Sequence, residues 1–335
     1  MHNQTILVTG GAGFIGANLV DELVRNEWGS VHILVAPNTN LWRLQNLLDS
    51  IIVHEIDLAD FDAVNTLVTA ITPQLIFHLA SYGGMPQQSD QKTVCRVNFD
   101  GTVNLLNACK EVGFSCFINT GSSSEYGMKQ TAMREDMMLE PISDYAVAKA
   151  AATNYCLKEA LFNKLPIYTI RPFAVYGDYE MPTRLVPTIV VNTLRNTPIN
   201  LSSPHCVRDF IYVKDMVSLF CAVALQKPHG CYIFNGGTGI QSTIGDVIAT
   251  VQASWSQTLV VNWGQSTPRP WEPTVWQADI TQATTVLGWK PCYSLHDGLR
   301  ASLSWFENNL TWYPEQGAFH EPKPHHTTPT TTCNR

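Results

Sequence analysis

Tyr145 and Lys149 stand four residues apart in the segment Asp144-Tyr-Ala-Val-Ala-Lys-Ala-Ala. The alanines at 146, 148, 150, 151 and 152 favour a helix, so the phenol and the ammonium project from one face, one turn apart. A cation beside a phenol favours phenolate and lowers its pKa, which would fit Tyr145 for general acid–base work near neutral pH. Two further features point to the same kind of chemistry. The chain begins with a strand that runs into the loop Thr9-Gly-Gly-Ala-Gly-Phe-Ile-Gly16, and the serine cluster Ser122-Ser123-Ser124 ends an apolar strand upstream of the tyrosine. Gly10, Gly13 and Gly16, placed between a strand and a helix, meet the demands of a dinucleotide pyrophosphate. They allow a tight turn, close backbone approach and tight helix–strand packing, with phosphate on the helix N-terminus.

The elements that must position these residues alternate through the first half. Residues 5–9, 31–35, 51–55, 75–78, 116–119 and 167–170 read as strands, most of them near-continuous apolar runs that suit a parallel sheet covered on both faces. Between them, 15–25, 41–48, 62–69, 91–111 and 145–161 read as helices. This order predicts an α/β fold, a doubly wound parallel Rossmann sheet with its ligand at the carboxyl ends of the strands. From Arg171 onward, prolines at 172, 182, 187, 198 and 204 punctuate shorter elements, consistent with a smaller, interleaved substrate lobe. The expected division is 1–170 for the nucleotide-binding domain, rejoined by segments at about 210–240. Residues 171–209 and 241–313 would form the lobe, and the Pro-, Thr- and His-rich 314–335 a disordered tail. His325 and His326 in that tail could bind metal only adventitiously.

A 335-residue chain that is 45% hydrophobic can bury a large core. The formal net charge of −7 gives no long-range attraction to nucleic acid or anionic membrane. Nine scattered cysteines lack paired metal-ligand spacing, so buried reduced thiols and no metal site are expected. No apolar run reaches membrane-spanning length, and a cytoplasmic protein is expected.

Cofactor choice turns on the end of the second strand, where a carboxylate would accept bonds from the ribose 2′-hydroxyl of NAD. The segment from Val35 to Arg43 contains none, while Asn38 and Arg43 could receive a 2′-phosphate. NADP is therefore expected, with NAD as the alternative. Asp57 suits the adenine amino group or a helix cap.

Together TGGAGFIG, Asp57-Leu58, Phe77-His-Leu-Ala80, Asn98-x-x-Gly-Thr102, SSSEYG, Tyr145-x-x-x-Lys149, Arg171-Pro172 and Arg208-Asp-Phe-Ile-Tyr-Val213 resemble the extended short-chain dehydrogenase/reductase family. The resemblance is to its NAD(P)-dependent nucleotide-sugar epimerases, dehydratases and reductases, and it runs from Thr5 to about Trp305. It implies that Tyr145 exchanges a proton with a sugar oxygen, that Lys149 holds the nicotinamide ribose and lowers the Tyr145 pKa, and that Ser122, four residues before Tyr126, helps bind that oxygen. Ser123 is the fallback, and Ser124 lines the substrate. Phe14, Ile15, Leu58, Leu79, Ala80 and Asn98 fall at cofactor-contacting positions of the motifs. Arg208 and Arg269 match arginines used on the nucleotide diphosphate. A nucleoside diphosphate sugar is the implied substrate, and a homodimer is expected. The 4,6-dehydratases of this family carry an acid two positions after the catalytic Ser/Thr; here that position is Ser124. Glu125 lies one further on, and in an extended segment its side chain would point the other way. Fucose-synthase-like enzymes use a Cys where Ser124 stands. What remains is NADPH-dependent reduction of a 4-keto-6-deoxyhexose nucleotide, favoured by the expected NADP. The alternatives are an NAD-dependent 4-epimerase and a non-catalytic NADP-binding scaffold.

Overall fold

The computed structural model describes residues 4–84, 88–230, 232–265 and 272–313. The elements follow in chain order as β1 (Thr5–Thr9), α1 (Phe14–Arg25), β2 (Ser30–Val35), β3 (Ile51–Glu55), α2 (Phe61–Ile71) and β4 (Leu75–His78). Next come α3 (Gln91–Cys95), α4 (Gly101–Val112), β5 (Cys116–Thr120), α5 (Asp144–Phe162), β6 (Ile167–Pro172), β7 (Ala174–Tyr176), α6 (Leu185–Arg195) and β8 (Ile199–Asn200). The remainder is β9 (Val207–Tyr212), α7 (Val213–Gln226), β10 (Ile233–Gly236), β11 (Gln241–Thr243), α8 (Ile244–Ala253), β12 (Val261–Asn262), α9 (Thr281–Leu287) and α10 (Leu295–Asn308).

Seven parallel strands form the main sheet in the order β10-β6-β5-β4-β1-β2-β3. The strand order reverses between β1 and β4, so the carboxyl ends of these two strands open the crevice in which a doubly wound sheet takes its ligand. One face is sealed by α1 and α7, with Leu19, Val20, Leu219 and Phe220 packed on Val8, Ile33 and Ile118. The other is sealed by α2, α4 and α5, with Val64, Leu105 and Cys156 packed on Leu7, Leu34 and Ile76. Burial on both faces is why these strands read as unbroken apolar runs.

A second core gathers β7, β9, α6, α8 and α10 around Tyr176, Ile189, Phe210, Val247 and Phe306. Here the order expected from sequence is altered. Residues 207–212 pair with β7 and β11 in a three-stranded sheet rather than rejoining the main one. It is α7 and β10 that return, β10 pairing with β6. The stretch 41–48, expected as a helix, forms only a short turn at Trp42–Leu44 and another at Leu48–Ser50. Tertiary stacking decides that outcome, because Trp42 meets Tyr179, Trp312 and Tyr313 edge-on. The single helix expected over 91–111 is interrupted by a π-turn at Arg96–Asp100.

Among the described residues no helix is long and apolar enough to cross a membrane, and no cluster of three or more His, Cys, Asp or Glu could hold a metal ion. Cys109, Cys116, Cys156 and Cys221 are buried free thiols, each pushed up to about 12 by desolvation.

Candidate active site

The glycine loop between β1 and α1 leaves no room for side chains. Gly10 has φ +70°, and a Cβ there would lie 2.6 Å from the backbone nitrogen of Ala80. A Cβ on Gly16 would lie 2.2 Å from the carbonyl oxygen of Gly10. Gly13 caps α1 without a side-chain hydrogen bond, and no acidic residue stands in the helix's first turn, which Phe14 and Ile15 open. Free backbone N–H groups and an unopposed helix dipole suit a pyrophosphate. The loop therefore fits the dinucleotide that the motif implies. Leu79 and Ala80 follow β4 and face this loop, and Thr9 fastens the junction by accepting the Ala80 N–H at 3.2 Å.

Around the adenosine end, the structure places the expected residues differently. Asn38 sits beyond β2 in the left-handed region, φ 62°, with its N–H toward the Glu55 carboxylate at 3.4 Å. Arg43, 8% exposed, turns inward. Its Nε donates to the Tyr179 carbonyl at 2.9 Å and its Nη1 to the Ala12 carbonyl at 3.2 Å, and its guanidinium lies 4.4 Å from the Trp42 ring centroid. It clamps the glycine loop to the segment after β7. Asp57 accepts from the Ala59 N–H and from Arg96 at 2.6 Å, which together hold its carboxyl below the usual range. The next helix is capped instead by Asp60. Leu58 packs under Gly101, where a Cβ would come within 3.0 Å. Asn98, fully buried in the π-turn, accepts the Tyr82 N–H and donates to the Tyr82 and Val94 carbonyls, fixing the loop after β4.

At the reacting end, β5 and α5 bring Ser122 and Tyr145 together. The Ser122 hydroxyl lies near enough to the Tyr145 phenol to pull its pKa down, and it pairs with the Ser124 hydroxyl at 2.7 Å. Ser143 caps α5, accepting the Ala146 N–H, and so fixes the first turn that carries Tyr145. Lys149 follows one turn later, only 2% exposed, and burial pulls its ammonium down to about 8. The expected lowering of the Tyr145 pKa by Lys149 is corrected here. Burial raises the phenol above its ordinary value and outweighs the downward pull of Ser122 and of the Arg184 charge.

Glu125 does point away from the cleft, but not for the reason expected. Residues Ser123–Tyr126 form a 3₁₀ turn, not an extended strand. Glu125 is fully buried beneath it, pairing with Arg171 Nε at 2.8 Å and accepting the Ser122 N–H at 2.8 Å and the Thr153 hydroxyl at 3.0 Å. Arg171 also donates to the Tyr126 hydroxyl, which donates to Asn235. This chain of bonds holds the Ser122 backbone from below, with Ser123 buried beside it. Nothing in the local spacing of SSSEYG announces the partner forty-six residues away.

Arg208 lies on β9, paired with Glu272 at 2.5 Å and with its guanidinium 5.7 Å from the Trp276 ring centroid. Arg269 lies outside the described residues. Two residues not singled out by sequence lie in the segment after β7: Glu180 is buried, and Arg184 donates from Nη1 to the Gly84 carbonyl, in the loop after β4, at 3.2 Å. Arg184 follows Pro182 in a stretch without periodicity, so no pattern marks it.

A family model described as the NAD dependent epimerase/dehydratase family matches residues 6–235. The chain belongs to this family. It is 26% identical over 321 residues to a UDP-glucuronate 4-epimerase of Thermodesulfobacterium geofontis, covering 91% of this chain and 96% of that protein. Among solved structures, the UDP-glucuronic acid 4-epimerase of Bacillus cereus in complex with UDP-glucuronic acid and NAD superposes with TM-score 0.80. The two are 28% identical, with 91% of this chain and 99% of that chain covered. The UDP-glucose 4-epimerase of Thermotoga maritima with UDP-glucose gives TM-score 0.82 at 25% identity, covering 91% and 99%. The protein is thus a member of a sugar-nucleotide epimerase and dehydratase family with a Rossmann sheet, and an enzyme of the extended short-chain dehydrogenase type.

Proposed function

We propose that this enzyme is a 4-epimerase of a UDP-sugar that works with a retained NAD. The observation that carries the proposal is the Ser122–Tyr145 pair one turn from buried Lys149, with Ser124 where elimination would need a carboxylate and Glu125 locked on Arg171. Such a site can move a proton at the C4 oxygen, and it offers no second base for dehydration.

Two features support NAD. The Arg43 guanidinium is bonded to the Tyr179 and Ala12 carbonyls, and the Glu55 carboxylate stands beside Asn38, close to where β2 ends. An acid there suits ribose hydroxyls and opposes a 2′-phosphate. The relatives that act as 4-epimerases put this reading ahead of the NADPH-dependent reductase expected from sequence. The reductase keeps one observation in its favour, the lack of any carboxylate between Val35 and Arg43.

In the proposed reaction Tyr145, aided by Ser122, takes the proton of the C4 hydroxyl and later returns it to the C4 oxygen. The bound nicotinamide supplies the hydride acceptor and donor. Lys149 holds the nicotinamide ribose, the glycine loop the pyrophosphate, and Asp57 the adenine. Arg208 and Arg269 take the substrate diphosphate, Arg208 exchanging its Glu272 partner for phosphate. Residues 1–170 with α7 and β10 would carry the cofactor, and the rest of 171–313 the sugar nucleotide. Mass spectrometry of the nucleotide released from purified protein tests the reading. Stoichiometric NAD is expected, and an apoprotein that binds NADP at least tenfold more tightly than NAD would overturn it.

A further inference from the structure

The proposed chemistry needs Lys149 as an ammonium, yet this residue is only 2% exposed, and burial favours the neutral form. A fixed anion nearby would hold the charge. Tyr145, Lys149 and Thr153 stand four residues apart along α5 and so share one face. The Thr153 hydroxyl, one turn beyond Lys149, donates to Glu125 Oε1 at 3.0 Å. The Glu125 carboxylate is thereby pinned against the same face of α5 that carries the ammonium and the phenol.

Further contacts fix its position. The Ser122 N–H donates to Oε1 at 2.8 Å, and Arg171 Nε, from β6, donates to Oε2 at 2.8 Å. A Cβ at Gly121 would fall 2.6 Å from Oε1, so the end of β5 leaves a space that only a glycine there keeps open. The carboxylate is fully buried, which lets its charge act beyond contact distance.

The other titratable groups around Lys149 carry no charge near neutral pH. His78, on β4, is taken down to about 3 by burial, and the Cys156 thiol on α5 is pushed up to about 12. Tyr145 is a phenol raised above its ordinary value. Among the described residues Glu125 is thus the anion that acts on Lys149, and it offsets part of the burial that pulls the ammonium down to about 8. It acts on Tyr145 in the same direction, favouring the protonated form against the pull of Ser122 and Arg184.

We propose that Glu125 is a positioning residue whose carboxylate keeps Lys149 an ammonium at working pH. This rests on the 4-epimerase reading, in which Tyr145 and Lys149 are the reacting pair. The test is a pH titration by NMR of protein carrying lysine isotope-labelled at Cε, with Lys149 assigned from its missing signal in Lys149→Met. Wild type is compared with Glu125→Gln and with Glu125→Gln/Arg171→Met, which also removes the Arg171 charge that the single change would strand. Both variants should move the Lys149 titration down by about one pH unit. The pH profile of kcat for C4 inversion of UDP-glucose or UDP-glucuronate should slide to lower pH with it, because Glu125 favours the protonated form of Lys149 and of Tyr145 alike. A Lys149 titration unmoved in the double variant would overturn the proposal whatever happens to the rate, since a merely structural role lowers kcat without moving a titration. A Lys149 titration that moves while the kcat profile stays in place, or with no inversion of either sugar, would sustain the role of Glu125 and overturn the 4-epimerase reading instead.

Discussion

Replacing Arg171 by Met should strand the Glu125 carboxylate in the core beneath the active site. The pair is essentially inaccessible, Arg171 at 2% and Glu125 at 0% side-chain exposure, with Nε and Oε2 2.8 Å apart. Removing one partner of such a pair leaves a buried charge uncompensated and costs about 3–5 kcal/mol. With an unfolding entropy near 2.1 cal/mol/K per residue, this corresponds to a Tm fall of roughly 4–7 °C for a chain of this size. Because Glu125 also accepts the Ser122 N–H, the same substitution should displace Ser122 and lower kcat more than it raises KM. Differential scanning calorimetry and steady-state assays read the two effects separately. Glu125→Gln combined with Arg171→Met removes both charges yet keeps a polar group for Ser122 and Thr153, so it should regain much of the stability. A single Arg171→Met variant that melts within about 1 °C of wild type would refute the reasoning.

The remaining expectations are narrower. Tyr145→Phe should keep cofactor and sugar-nucleotide binding while losing at least ~100-fold in kcat, the scale of a general acid–base group; turnover within a few-fold of wild type would move the proton transfer elsewhere. Arg43→Ala should destabilise the protein by about 2–4 kcal/mol through lost bonds to the Tyr179 and Ala12 carbonyls. It should also weaken NAD and NADP binding in parallel; a loss confined to NADP would make Arg43 a reader of the 2′-phosphate. Stability should decline from about pH 6.5 to 8, because burial raises Glu180 to about 8 and Glu135 to about 7 from 4.5, whereas the opposing effect of buried His78, lowered to about 3 from 6.5, is complete below that window. The unfolded chain releases these protons first, so the stabilisation is full below about pH 4.5 and is lost as pH rises through the folded values. Glu180→Gln should flatten that slope in melting curves taken across the window, and an unchanged slope would mean that Glu180 titrates normally.

Much of the architecture was legible because local pattern and global burial agree in it. Leu75–His78 and Cys116–Thr120 are strands with every residue buried, and their apolar runs have no other sensible reading. The glycine loop and the Ser122, Tyr145 and Lys149 set were legible for a similar reason, since spacing along one helix and one strand end fixes them. What escaped reading is decided by partners distant in sequence. Residues 41–48 carry a helical apolar pattern, yet Trp42 and Arg43 are drawn into contacts with Tyr179 and Ala12. The outward reading of Arg43, and the NADP expected from it, came from composition near the end of β2. The inward bonds depend on residue 179, which no window around 43 contains. Glu125 was correctly turned away from the cleft, but through a 3₁₀ turn and a salt bridge to Arg171 rather than through strand alternation. Arg184 gave no signal because its bond to Gly84 depends on where the segment after β7 passes the loop after β4.

The most direct test of the account is proton NMR of a UDP-sugar incubated in D₂O with purified protein and no added cofactor, run with UDP-glucuronate and UDP-glucose. The account expects the C4 epimer to appear with protium retained at C4, because the hydride taken from the sugar is the one returned to it. Deuterium at C4, or no epimer with either sugar while NADPH is consumed against a 4-keto sugar nucleotide, would contradict it.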